Sequence, residues 1–149
     1  MPDARPDDAT EADRRKRLDE LSHALRPLHK ALIDLVQRDY ERDNGPVAGP
    51  LKLYGLVTTD PFFAWLHPMS ALMAEIDEAV DQKEPVAREQ AAALRAALEN
   101  LVSDCGRAPK PESFVARYLA VLQDHPEVVM LHARMRKLLD GIEAGTTSN

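Results

Sequence analysis

The chain has a single cysteine, Cys105, among 149 residues, so no internal disulfide can staple it. A fold without that crosslink rests on a buried core, and a reducing, cytoplasmic setting is the expectation. Aromatic residues make up only 5% of the sequence, which leaves aliphatic side chains and alanine to fill that core. The six glycines are scattered, mostly at expected helix ends, and form no phosphate-cradling loop. No segment approaches the roughly 18–20 consecutive apolar residues of a membrane helix, so no membrane partner is expected. The N-terminus lacks the charged head and apolar run of a signal peptide. Basic residues are in the minority: 19 Lys and Arg against 25 Asp and Glu give a net charge of −6. General nucleic-acid binding relies on a basic surface, so that partner class is not expected either.

Strand patterns are missing too. Valine and isoleucine fall inside helical periods and do not alternate with polar residues. After a flexible lead-in over residues 1–9, Thr10 is a candidate N-cap with Asp13 in the first turn. Leu18, Leu21, Leu25, Leu28, Leu32 and Leu35 then recur with gaps of three and four, a seam along one helix face. Pro27 sits within this seam and denies the His23 carbonyl its donor. The leucines keep register across it, which predicts one kinked helix ending near Asp43, before Asn44-Gly45-Pro46. Leu51, Tyr54 and Val57 mark one side of a short helix that Thr58-Thr59 ends.

Asp60-Pro61 opens the next helix as cap and first residue. Its apolar stripe is Phe62, Trp65, Leu66, Met69, Leu72, Met73, Ile76 and Val80, with a bend at Pro68 that frees the Ala64 carbonyl. Pro85 starts a long helix with Ala87, Ala91, Leu94, Leu98, Leu101 and Cys105 in register and Gly106 as its cap. Pro111 starts a shorter helix bearing Phe114, Val115, Tyr118, Leu119 and Leu122. After Asp124-His125-Pro126 comes a last helix with Val128, Leu131, Met135, Leu138 and Ile142 on one face. Gly145–Asn149 reads as a frayed tail. The predicted fold is an all-α antiparallel helical bundle over residues 10–144. It has four main helices and one or two short ones, kinked at Pro27 and Pro68.

The segment Asp60-Pro61-Phe62-Phe63-Ala64-Trp65-Leu66-His67-Pro68-Met69-Ser70 is the most distinctive in the chain. Leu28-His29-Lys30-Ala31-Leu32, Tyr40-Glu41 before Gly45-Pro46, and Ile76-Asp77-Glu78 accompany it. Together they resemble a family of uncharacterised bacterial proteins. That family shares an Asp-Pro-x-Phe-Ala-Trp-Leu-x-Pro-x-Ser block, a Tyr-Glu pair upstream and Ile-Asp-Glu downstream. The resemblance covers roughly residues 25–80. The family has no established activity, so the resemblance implies no catalytic or binding residue.

Candidate chemistry is sparse. The bend at Pro68 is a place for a small-ligand pocket lined by Trp65, His67 and Ser70, with His29 and His132 nearby. Glu20-Leu21-Ser22-His23 has the Glu-x-x-His spacing of carboxylate-bridged metal bundles, but no second copy exists. His125 reads as a helix-start residue, and Cys105 as a buried, inert thiol. Asp77 and Glu78 are adjacent on a helix and do not face each other as a catalytic acid pair would. No nucleophile elbow occurs. These readings give no catalytic residue, no metal ligand and no cofactor. Arg14-Arg15-Lys16-Arg17, preceded by Asp3, Asp7, Asp8, Glu11 and Asp13, reads as a solvated helix start. Met69, Met73, Phe63 and Val129-Met130 lie beside or outside the main seams. Their surplus predicts an exposed apolar stripe for a protein partner or a homodimer.

Overall fold

The computed structural model describes residues 6–103 and 110–143, with side chains from Glu11 onward. The expected lead-in over residues 1–5, Cys105 with its Gly106 cap, and the tail from Gly145 lie outside the described residues. Among the described residues there is no strand. The elements are α1 (Pro6–Asn44), α2 (Pro50–Thr59), a 3₁₀ segment (Pro61–Leu66), α3 (His67–Asp81), α4 (Arg88–Val102), α5 (Phe114–Asp124) and α6 (Pro126–Asp140). The architecture is an all-α helical bundle.

Helix α1 runs for 39 residues and passes through Pro27 without a break. A helix-interior proline costs about 3 kcal/mol. Leu18, Leu21, Leu25, Leu28 and Leu32 are all fully buried, and each is worth about 1.5–3 kcal/mol. The seam therefore outweighs the proline. Beyond Leu32 the 3.6-residue period drifts off the heptad, so Val36 takes the buried position and Leu35 is half-buried. The helix starts at Pro6, ahead of the expected Thr10 cap, because a proline at the first helical position needs no donor. It stops at Asn44. Gly45 follows in the left-handed region at φ 81°, with its N–H on the Glu41 carbonyl. The Glu41 carboxylate then accepts the Val47 N–H at 2.7 Å.

The side-chain ladders fix the directions. Arg15 meets Val80, Ser22 meets Asp77 and His29 meets Ser70, so α1 and α3 are antiparallel. Arg88 meets Glu143 and Arg136 meets Glu99, so α4 and α6 are antiparallel as well. Arg17 reaches the Gly141 carbonyl, which sets the start of α1 against the end of α6. Helix α1 is the common wall, packed on α3, α6, the 3₁₀ segment and α4.

The basic run at 14–17 is not simply solvated. Arg15 donates to the carbonyls of Val80 and Gln82 at 2.8 Å and of Glu84 at 3.0 Å. These sit at and beyond the C-terminus of α3, where helix carbonyls have no intrahelical donor. Arg14 Nε donates to the Val86 carbonyl at 2.8 Å, and Glu11 accepts the Val86 N–H at 2.7 Å. Both backbone groups of the fully buried Val86 are thus held by α1 side chains. This hold keeps the chain extended through Ala87 and moves the start of α4 to Arg88, three residues past the expected Pro85. Likewise α5 starts at Phe114, not Pro111, because Ser113 is the cap and accepts the Ala116 N–H. Helix α4 ends at Val102, short of the expected Gly106, with Ser103 extended.

Pro68 lies in the first turn of α3, and Pro61–Leu66 just ahead of that helix winds as a 3₁₀ helix. Proline cannot donate to Ala64, four residues back. The tighter winding hands the Ala64 carbonyl to the His67 N–H instead, so it is not free as expected.

Candidate functional site

In a 3₁₀ helix residues three apart eclipse one another. Phe63 and Leu66 therefore point together into the core, and both are fully buried. Phe62 and Trp65 form the next column and look outward. This reverses the expected stripe, which placed Phe62 inside and Phe63 at its edge. Met69, in the first turn of α3, is also fully buried and not part of an exposed surface. The Asp60 carboxylate accepts the Phe62 N–H at 2.8 Å and starts the segment. Tyr40 of α1 packs on both phenylalanines, with ring centroids 5.7 Å apart in each case.

The outward column borders a cleft of about 500 Å³ between the C-terminal half of α1 and helix α5. Leu35, Val36, Pro61, Phe62 and Trp65 supply its apolar surface; Val121 and His125 lie on the far side. Arg38, Asp39 and Arg42 come from α1 and Arg117 from α5. Arg42 is paired with Asp39 at 2.7 Å. Arg117 lies over the Trp65 ring, 5.9 Å from its centroid, a cation–π contact.

Of the five residues expected to share a pocket, Trp65 alone lines this cleft. His67 is exposed and its Nε2–H donates to the Val57 carbonyl at 2.9 Å, tying α3 to α2. Ser70 Oγ and His29 Nε2 are hydrogen-bonded at 2.8 Å between α3 and α1. Ser70 also reaches back toward the Leu66 carbonyl at 3.5 Å. His132 is bonded through Nδ1 to the Tyr118 hydroxyl at 2.7 Å. Trp65, Phe114, Tyr118 and His132 do form a chain of ring contacts, each with centroids 5.5 Å apart. That chain runs from the cleft into the α5–α6 contact.

Burial shapes the charges along it. Desolvation pushes the Tyr118 hydroxyl well above the ordinary tyrosine range, so it keeps its proton in the hydrogen bond with His132. Burial also lowers the pKa of His29, and that of His132 with help from Arg136 against the opposing pull of Glu99. Both imidazoles are therefore held toward the neutral form. The Ser70–His29 distance would suit a nucleophile and its base. Among the described residues no carboxylate is bonded to His29 to orient it, so the pair lacks the third member of a triad.

His23 of the Glu-x-x-His sequence is exposed and sits on the Asp19 carbonyl at 2.8 Å. Among the described residues, no three His, Cys, Asp or Glu side chains are grouped so as to hold a metal ion. No helix among them is long and apolar enough to cross a membrane.

A second surface feature was not legible from the seams. No residue of α2 is buried, and its outer face exposes Leu51 to 88% and Tyr54 to 70%. Leu53, Leu56 and Val57 on the inner face pack against the core. Of the apolar side chains expected at the surface, Val129 and Met130 are exposed, while Phe63 and Met69 are in the core. No protein family, curated protein or solved structure matches this chain.

Proposed function

We propose that the protein is a non-enzymatic helical contact module that pairs with a second copy of itself through the outer face of α2. The observation that carries this is the exposure of Leu51 and Tyr54 on a helix with no buried residue. A two-fold interface sets one patch against itself, so like charges within it repel. Copies with a net charge of −6 need a charge-poor patch to meet, and Pro50–Thr59 carries Lys52 as its sole charged residue. Burying both side chains on each copy gains about 6–12 kcal/mol, against an association cost of about 4–15 kcal/mol. A concentration-dependent homodimer is the expected form. Sedimentation velocity at rising concentration tests it: the native chain dimerises, and Leu51→Glu with Tyr54→Glu restores the monomer without loss of helicity. A native chain that stays monomeric at high concentration overturns the proposal.

The cytoplasmic setting suggested by the single cysteine, and the absence of a nucleic-acid partner suggested by the acidic balance, belong to the same proposal. So does kinship with the bacterial family that the 60–70 block resembles, which assigns no site residue. A second reading, small-ligand binding, is favoured by the cleft of about 500 Å³ beside Trp65. Metal binding has no such observation behind it.

A further inference from the structure

We propose that the cleft beside Trp65 binds a small organic anion: a phosphate, sulfonate or carboxylate head on a flat apolar body. The proposal rests on the ligand-binding reading and adds the ligand's chemistry. Its first support is an imbalance of charge. Acidic side chains outnumber basic ones, and most described arginines hold a carboxylate or a backbone carbonyl. Among the described residues, Arg38, Arg117 and Arg134 hold neither, and two of these three line the cleft. A third guanidinium, Arg42, lies in the same wall, where the sole carboxylate, Asp39, is already engaged by it at 2.7 Å. Arg38 and Arg117 thus bring two uncompensated positive charges to one concavity from different helices. Guanidinium groups so placed match the paired oxygens of an oxyanion.

The second support is the cleft's surface. Phe62 is 41% exposed there, next to the partly covered Trp65 ring and the aliphatic Leu35 and Val36. An inorganic ion would leave this surface wet, whereas a planar apolar body covers it. The volume of about 500 Å³ falls within the range of about 300–1,000 Å³ usual for small-molecule sites.

The chain's sole tryptophan lies in the wall, so its indole N–H resonance reports on this place alone. The test titrates the full chain with 1-naphthyl phosphate, with uncharged 1-naphthol and with inorganic phosphate. Calorimetry reads affinity and the Trp65 resonance reads location. The expected result is a Trp65 shift with naphthyl phosphate and binding about tenfold tighter than for either comparison compound. Arg38→Ala and Arg117→Ala each weaken it about tenfold, and Arg134→Ala leaves it unchanged. Naphthol binding as tightly as naphthyl phosphate overturns the anion assignment while leaving the ligand-binding reading intact. Equal loss in the Arg134 variant, or equal binding of inorganic phosphate, also overturns the proposal. No binding of any compound and a motionless Trp65 resonance overturn the ligand-binding reading itself.

Discussion

Replacing Arg15 with alanine separates a docked arginine from a solvated one. The guanidinium donates to three backbone carbonyls, those of Val80, Gln82 and Glu84, and to the Glu11 carboxylate at 3.0 Å. Hydrogen bonds from a charged donor are worth about 1.5–3 kcal/mol each when dry. The Arg15 side chain is 28% exposed, and water can reach the carbonyls once it is gone. With that discount each backbone bond is worth about 1 kcal/mol, and the loss totals about 2–3 kcal/mol. For a chain of this size that is a fall in Tm of about 5–10 °C. Arg15→Lys keeps the charge, but one ammonium cannot span three carbonyls, so it recovers about half the loss. Lys16→Ala is the control. Lys16 is exposed, and its replacement costs under about 0.5 kcal/mol. Urea unfolding followed by circular dichroism gives the three values, and amide exchange over residues 82–87 shows where the loss is felt. If Arg15→Ala and Lys16→Ala agree within about 0.5 kcal/mol, the docking argument is wrong and the basic run is only surface charge.

Acid should weaken the fold in two windows. The folded pKa values of His29 and His132 lie below their unfolded values, so below about pH 6.5 the unfolded chain takes up protons that the folded chain refuses. Stability then falls with pH, and His29→Gln with His132→Gln flattens that fall in urea midpoints. Glu11, held low by the Val86 N–H, and Glu99, held low by Arg136, act only below about pH 4.5, so the double histidine variant keeps that lower window. Phe63→Ala costs about 3–5 kcal/mol because the ring is fully buried, whereas replacing Phe62, 41% exposed with its ring against Tyr40, by alanine costs about 1–2 kcal/mol. Comparable losses in the two variants would refute the 3₁₀ register.

The leucine seam of α1 was legible because a helix repeats its buried face, and leucines at threes and fours admit no other reading. The 62–66 register was not. The same residues read at 100° per step put Phe62 inside, and only the tighter 3₁₀ step, forced by Pro68 removing the donor to Ala64, turns Phe63 inward. Arg14 and Arg15 were misread because their partners are backbone carbonyls near Val80–Val86, which carry no side-chain signature. Trp65 was singled out for its size and its nearness to a proline, and it lines the cleft. Arg38 and Arg117 were missed because nothing local to either residue says that α1 and α5 face the same concavity. The outer face of α2 was missed for a related reason. Leu51 and Tyr54 look like any buried pair until the inner face is seen to be filled by Leu53, Leu56 and Val57.

The contact between Arg17 and Gly141 has a consequence for synthesis. Helix α1 is synthesised before the other described helices, bearing its leucine stripe, and α6, which packs along it, follows them. Local pairing with α3 can begin early, but the wall that α6 supplies arrives only after α5 has been made. Until then part of α1 is uncovered and prone to wrong partners. Truncation before Pro126 would make that transient state permanent.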